Sequence, residues 1–132
     1  MERLRQRLKS AEKALTSFRQ LAMLKNPSEV ERDASIQRFE FSYEACWKAA
    51  KQYLFDMEGL YIGSPKGVIR SSREVNLLNE KEAITALNMV NDRNLTVHTY
   101  NEEVAEKIQA NIEEYYHLLE LWVDRMNQGI LS

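Results

Sequence analysis

Apolar residues recur every three or four positions along most of this chain, and that spacing constrains its fold more than any other feature. Such spacing collects the apolar side chains on one face of an α-helix, whereas a half-buried strand alternates at every second position. Only four glycines and two prolines interrupt the 132 residues, which leaves room for few turns. The sequence therefore predicts a small number of long helices and no sheet.

Two long helices are predicted in the first half of the chain. The apolar positions of the first are Leu4, Leu8, Ala11, Leu15, Phe18 and Ala22. Asn26 and Pro27 break this pattern, and Ser28 is a suitable N-cap for a second helix over 29–58, which would be about 45 Å long. The apolar stripe of that helix comprises Ile36, Phe39, Tyr43, Cys46, Trp47, Ala50, Leu54 and Met57.

Three further helices are predicted in the second half. Ser64 and Pro65 favour the start of a short helix over 65–77, although Gly67 weakens it by roughly 1 kcal/mol relative to Ala. A fourth helix opens at Asn79 and continues to His98. The last helix is capped by Asn101 and ends at Gly129, with apolar positions at Val104, Ile108, Ile112, Tyr115, Leu119, Trp122 and Met126.

These elements predict an all-α protein: an up-and-down four-helix bundle with a short extra helix. We expect residues 1–132 to form a single domain, because this length suffices to bury one core. Cys46 is the only cysteine, so no internal disulfide is expected. The sequence contains no signal-peptide pattern and no apolar run of membrane-spanning length, and the expected location is cytoplasmic, with no membrane association.

Charge is unevenly distributed along the chain. The net charge of −2 is not typical of a nucleic-acid-binding protein. Residues 1–9 nevertheless contain four basic side chains and one acidic one, and residues 64–73 contain three basic side chains and no acid. Either zone could bind a polyanion locally, and either could equally be a solvated helix face.

The segment 92–100 contains the side chains best suited to chemistry: Arg93, Asn94, His98 and Tyr100. On a helix, Arg93 and Tyr100 share nearly one face, and Asn94 and His98 lie one turn apart. A guanidinium binds phosphoryl oxygens in a bidentate manner, and an imidazole exchanges protons near neutral pH. The set therefore suits a phosphate ester.

Simpler interpretations of the same residues remain open at this point. Arg93 could pair with Asp92 or Glu103, and His98 could donate to a backbone carbonyl. His117, the second histidine, lies among residues that suggest packing or a surface role.

Cleavage of RNA by its own 2′-hydroxyl requires a base for that proton and an acid for the leaving 5′-oxygen. One histidine cannot readily occupy both positions in a single step. A two-fold dimer would supply two histidines and two arginines around one cleft. The catalytic interpretation therefore predicts a homodimer.

Three segments, in order, resemble the nucleotidyltransferase substrate-binding protein family. They are Phe39 to Lys48, Ser64 to Arg70, and Asn91 to Glu102. The spacing Arg93-x4-His98-x-Tyr100 is also similar to the motif of HEPN toxins encoded beside a minimal nucleotidyltransferase. The resemblance covers nearly the whole chain and implies a HEPN-like bundle.

The resemblance implies a homodimer that pairs with a minimal nucleotidyltransferase. It leaves two roles open: a metal-independent ribonuclease toxin acting on RNA, or a non-catalytic subunit that presents a substrate to the partner. In the toxin role Arg93 and His98 are catalytic, Asn94 supports them, and the partner silences the protein by adenylylating Tyr100. The chain itself needs no cofactor, because ATP is used by the partner. Lys66 and Arg70 are candidate phosphate-binding residues.

Overall fold

The computed structural model describes residues 1–132 and contains five α-helices and no strands. Their bounds are α1 Glu2–Ala22, α2 Glu29–Glu58, α3 Pro65–Glu74, α4 Glu80–His98 and α5 Glu102–Leu131. Four long helices and one short helix confirm the predicted all-α bundle. None of them combines the length and apolar character needed to cross a membrane.

Polar side chains fix where the helices begin. Ser28 accepts a hydrogen bond from the amide of Glu31, whose carboxylate accepts one from the amide of Ser28, so the two form a capping box. Asn79 and Glu82 form a second capping box at the start of α4. The side chains of Ser64 and Asn101 each accept one hydrogen bond from a first-turn amide, at the starts of α3 and α5. The predicted N-caps are therefore confirmed.

One apolar core joins all five helices. Helices α1, α2 and α5 pack against one another, while α3 packs on α2 and α4, and α4 packs mainly on α3 and α5. Phe39 of α2 stacks on Tyr115 of α5, with ring centroids 5.5 Å apart. In the same core, the indole of Trp122 donates to the Ser72 hydroxyl at 3.2 Å, which satisfies a buried polar group between α5 and α3.

The predicted end of α3 at residue 77 is wrong, because the helix ends at Glu74. Asn76 adopts a left-handed conformation with φ 66°, which interrupts the helical hydrogen bonds. The amides of Leu77 and Leu78 then both donate to the carbonyl of Ser72. The turn directs these two leucines into the core, where both are buried.

The predicted end of α5 at Gly129 is also wrong, because the helix continues to Leu131. Gly129 is needed for packing here, since a Cβ at this position would overlap the hydroxyl of Tyr53. Packing also explains the glycine at position 67, because a Cβ there would lie 2.8 Å from the Ile62 side chain. Met57, predicted in the apolar stripe of α2, is instead exposed near the end of that helix.

Candidate active site

The C-terminal half of α4 carries three of the four predicted site residues. Arg93 is partly buried, whereas Asn94 and His98 are exposed. His98 is the last residue of the helix. The helix therefore presents the partly buried guanidinium of Arg93 and, five residues further on, the solvent-exposed imidazole of His98.

Arg93 is held by residues of α2. Its Nη2 donates to Glu44 Oε1 at 3.2 Å, and its guanidinium carbon lies 5.7 Å from the ring centroid of Tyr43. The Nε atom is buried and has no hydrogen-bond partner. Contacts with a carboxylate and a ring fix the guanidinium and leave most of its N–H donors without a partner in the protein.

The predicted alternatives for Arg93, pairing with Asp92 or Glu103, are both wrong. Asp92 points into the bundle, where it accepts a hydrogen bond of 2.6 Å from the hydroxyl of Tyr115. Lys107 lies 3.5 Å from the other carboxylate oxygen of Asp92. Neighbouring residues 92 and 93 thus serve different purposes, because Asp92 joins α4 to α5 while Arg93 reaches α2.

Asn94 and His98 have no hydrogen-bond partner among the protein's own groups. The suggestion that His98 caps a carbonyl is therefore wrong, and no hydrogen bond joins it to Arg93. Within one chain the structure brings Arg93 to Glu44 but does not bring the imidazole to the guanidinium. Both side chains of the exposed pair remain available to a ligand or to another protein.

Tyr100 is not on the helix, so the prediction that it shares a helical face with Arg93 is wrong. Helix α4 ends at His98, and Thr99 is extended with φ −149°. The turn directs Tyr100 back to α2, where its hydroxyl donates to Asp33 Oδ1 at 2.8 Å. Burial and this hydrogen bond raise the pKa of Tyr100 to about 12, and the same bond lowers the pKa of Asp33.

An ion-pair cluster holds the turn around Tyr100 in place. Arg32 binds both carboxylate oxygens of Glu102, the first residue of α5, and also contacts Asp33 Oδ1 at 3.1 Å. Asp33 therefore accepts hydrogen bonds from Arg32 and from Tyr100. Arg32 thus binds the residue after the turn directly and contacts Tyr100 only through Asp33, and these bonds fix the path of the chain from α4 to α5 against α2.

A cleft of about 310 Å³ lies beside Tyr100. It is lined by side chains of α2 and of the α4 end: Asp33, Ile36, Gln37, Glu40, Thr96 and Tyr100. Asp33, Glu40 and Glu44 follow one another at helical spacing on α2, so they share the face that meets α4. Asp33 and Glu40 line the cleft from α2, so that side of it is acidic.

Lys66 and Arg70 are both on α3, away from these contacts. Arg70 is exposed, Lys66 is partly buried, and neither forms a hydrogen bond or an ion pair with the rest of the protein. The structure does not link them to Arg93. Their predicted phosphate-binding role stays a prediction.

Sequence reasoning missed Glu44, Asp33 and Arg32, which position the predicted residues. Glu44 lies inside the Phe39 to Lys48 segment that carries the family resemblance, and that was the available signal. Its partner is 49 residues away, and Asp33 is 67 residues from Tyr100. Such pairings depend on how helices are arranged, which local spacing does not reveal.

Comparisons with known proteins agree on the fold. The profile of a family described as "Nucleotidyltransferase substrate binding protein like" matches residues 6–128. No curated protein matches the chain. A crystal structure of a protein from Thermus thermophilus is 55% identical, with a TM-score of 0.85 over 88% of this chain and 98% of that one.

Two structures of toxin–antitoxin proteins are also similar in fold. One is a mutant of the pair MntA-HpeT, with 16% identity and a TM-score of 0.76 over 97% of this chain and 99% of that one. The other is a tri-AMPylated HEPN toxin of Shewanella oneidensis in complex with MNT antitoxin, with 16% identity and a TM-score of 0.75. It aligns over 95% of this chain and 96% of that one. The bundle is thus HEPN-like.

Proposed function

The chain belongs to the nucleotidyltransferase substrate binding protein like family. We propose that it pairs with a minimal nucleotidyltransferase as the helical partner. We further propose that the chain itself is a metal-independent ribonuclease. In this proposal adenylylation of Tyr100 by the partner silences the nuclease. Two structural neighbours support it, since one is a toxin–antitoxin pair and the other an AMPylated HEPN toxin bound to MNT antitoxin. ATP is consumed by the partner, so this chain needs no cofactor of its own.

The observation that carries the proposal is the arrangement at the end of α4. Arg93 is oriented by Glu44 and Tyr43 and its side chain is still 29% exposed, while His98 is exposed farther along the helix with no hydrogen-bond partner in the protein. Arg93 therefore suits the recognition of a phosphate, with Asn94 as a supporting amide.

Cleavage in this proposal proceeds by transfer of the phosphoryl group within the RNA. One imidazole removes the proton of the 2′-hydroxyl, whose oxygen attacks the adjacent phosphorus. The bond from phosphorus to the 5′-oxygen breaks, and a second imidazole protonates that oxygen. The products are a 2′,3′-cyclic phosphate and a 5′-hydroxyl, and the guanidinium stabilises the charge that develops on the phosphoryl oxygens.

The second imidazole requires a second copy of the chain. Each protomer has a single histidine in the site, and His117 is exposed on α5. We therefore propose a homodimer in which two α4 ends face one another and two copies each of Arg93 and His98 surround the RNA. Within this arrangement neither chain forms a complete site alone.

Modification of Tyr100 accounts for silencing in electrostatic terms. An AMP group on the hydroxyl adds a phosphate beside this cleft, which is lined by α2, the helix that also holds Arg93. The added anion would repel an incoming RNA backbone and could occupy the guanidinium. The bulk of the nucleoside would also fill the cleft of about 310 Å³.

The ribonuclease proposal is tested with purified protein and single-stranded RNA in the presence of EDTA. We expect cleavage that leaves 2′,3′-cyclic phosphate ends, and we expect Arg93→Ala and His98→Ala each to abolish it. His117→Ala is the matched control, because it removes the other histidine and should leave activity intact. Cleavage that persists in both site variants would overturn the assignment.

A second candidate function is suggested by the description of the family itself. The chain would then present a substrate to the nucleotidyltransferase and would cleave nothing. Mass spectrometry after incubation with ATP and the partner separates the two. An added AMP on Tyr100 supports the toxin role, whereas AMP on a third molecule, with no ribonuclease activity, supports substrate presentation.

A further inference from the structure

A second cleft, of about 320 Å³, lies at the opposite end of α2 from Tyr100. Arg3 and Arg7 line it from α1, Lys51 and Phe55 from α2, and Tyr61 from the connection to α3. No acidic side chain lines it. The cleft thus combines three cations and two aromatic rings in a chain whose net charge is −2.

The three cations are not neutralised by the protein. Neither arginine nor Lys51 has a carboxylate oxygen within 4 Å. Arg7 is nevertheless held in place, because its Nη1 donates to the backbone carbonyl of Lys48 at 3.3 Å. Positive charge that is oriented and unpaired is available to an anion from outside the chain.

The aromatic side chains are exposed yet ordered. Tyr61 is 81% exposed and Phe55 is 54% exposed, which is unusual for rings of this size. Lys51 Nζ lies 5.5 Å from the centroid of the Tyr61 ring. The Phe55 ring packs edge-on against the same ring, with the two centroids 6.5 Å apart. These two contacts position Tyr61 while most of its surface stays open to solvent.

We propose that this cleft binds a nucleotide, with the base stacked on Tyr61 and the phosphate held by Arg3, Arg7 and Lys51. An aromatic platform next to a cationic groove is the combination that binds unpaired nucleotides. The nucleotide is either free or one unit of a single-stranded RNA. The inference comes from the residues of the cleft and does not require that Arg93 and His98 cleave RNA.

The position of the cleft on α2 makes an RNA strand a reasonable source. Glu44, Lys48, Lys51 and Phe55 are spaced by four, three and four residues, so they share one face of the helix. Glu44 binds Arg93 on this face, and Lys51 lies about 10 Å further along it. A short oligonucleotide could therefore contact both regions.

Binding is measured in an Arg93→Ala background, so that neither cleavage nor the Arg93 contact contributes. The probes are AMP, ATP, a labelled short oligoadenylate RNA and inorganic tripolyphosphate, titrated by fluorescence anisotropy or competition. We expect Tyr61→Ala to weaken binding of the oligonucleotide about fivefold or more, because one base no longer has its stacking platform. The slope of the logarithm of the binding constant against the logarithm of the salt concentration should become shallower when Arg3→Ala and Arg7→Ala are combined. We expect the slope to change by about 0.7 for each phosphate that is no longer neutralised.

Matched controls separate this cleft from general surface charge. Arg5→Ala removes a neighbouring arginine that lines a different cleft, and Phe41→Ala removes an exposed aromatic ring elsewhere on α2. Both should leave binding unchanged. Circular dichroism is expected to show full helix content in every variant, since the altered side chains lie at the surface.

The probes also distinguish the two sources of the nucleotide. Competition by AMP or ATP that depends on Tyr61 identifies a site for a free nucleotide. Binding of the oligonucleotide alone, with the same dependence, identifies a site for an RNA strand. Binding that is unaffected by Tyr61→Ala, or matched by tripolyphosphate, overturns the proposal.

Discussion

At the scale of single residues, Asp33 positions the hydroxyl of Tyr100. The phenol donates to its carboxylate, and burial together with that bond raises the pKa of Tyr100 to about 12. The carboxylate, in turn, gains from the hydrogen bond and from Arg32, so its pKa is lowered. Tyr100 is therefore held neutral, at a fixed place, under all ordinary conditions.

We expect Asp33→Asn to lower the pKa of Tyr100 from about 12 towards the ordinary value of about 10. The favourable interaction of the neutral phenol stabilises the folded protein fully below about pH 10 and is lost as the pH rises through about 12. NMR titration of labelled tyrosine rings measures the shift, with Tyr100→Phe to assign the signal. An unchanged pKa in the variant would show that burial alone is responsible.

Glu44 is the residue that limits how strongly Arg93 attracts an anion. Its carboxylate lies 3.2 Å from the guanidinium, and both side chains are partly exposed. Glu44→Gln keeps the shape and removes the competing charge. We expect RNA to bind about two- to fivefold more tightly, in line with the strength of exposed ion pairs. Glu31→Gln, which changes an exposed carboxylate at the start of α2, is the control in the same filter-binding measurement.

At the scale of the helices, most boundaries follow from short-range signals. Ser28, Asn79 and Asn101 accept hydrogen bonds from the first-turn amides, and Gly59 ends α2 in a left-handed conformation. Each of these effects acts within one turn, so the sequence alone predicts it. The end of α3 is set instead by the burial of Leu77 and Leu78 in the core, which involves other helices.

Gly129→Ala tests whether local propensity or packing dominates at the end of α5. Helix propensity predicts that the substitution stabilises the protein, whereas packing predicts that it destabilises the protein. Alanine favours a helix by about 1 kcal/mol over glycine. In this structure its methyl group would displace Tyr53, so we expect Gly129→Ala to destabilise the protein by about 1–3 kcal/mol in urea unfolding. Tyr53→Phe should restore part of the loss, since the hydroxyl is the closest atom. Gly63→Ala, which meets nothing within 4 Å, is the control.

At the scale of the whole molecule, α4 has one face that the chain does not cover. It packs mainly against α3 and α5, and Val97 is 61% exposed one turn after Arg93. The proposed homodimer would place this face between two protomers. In that dimer Val97, the residue before His98, would be covered by the partner.

We expect Val97→Asp to convert the dimer to a monomer and to abolish RNA cleavage without loss of helix content. Two carboxylates facing each other across a two-fold interface are unfavourable, and each monomer keeps only one histidine of the site. Val30→Asp changes a valine that is still more exposed, at the start of α2, and should have neither effect. Light scattering coupled to gel filtration reports the mass. A dimer that persists in Val97→Asp would exclude this part of α4 from the interface.

The sequence predicts which helix carries the site but not what surrounds it. Arg93, Asn94 and His98 are close in sequence, so a helical pattern places all three in the C-terminal half of α4. Glu44 and Asp33 reach the same region from 49 and 67 residues away. The break at Thr99 also moves Tyr100 off the helical face. These contacts depend on how α2 lies against the end of α4, and that arrangement follows from packing of the entire core.

The hydrogen bond from Tyr100 to Asp33 can exist only while the phenol keeps its hydrogen. Any ester formed at that oxygen leaves two acceptors facing each other, one of them a carboxylate paired with Arg32. A phosphate ester adds a second negative charge beside that carboxylate, so the modified ring cannot keep its present contact with Asp33. Adenylylation would therefore also remove one of the contacts that hold the turn between α4 and α5 against α2.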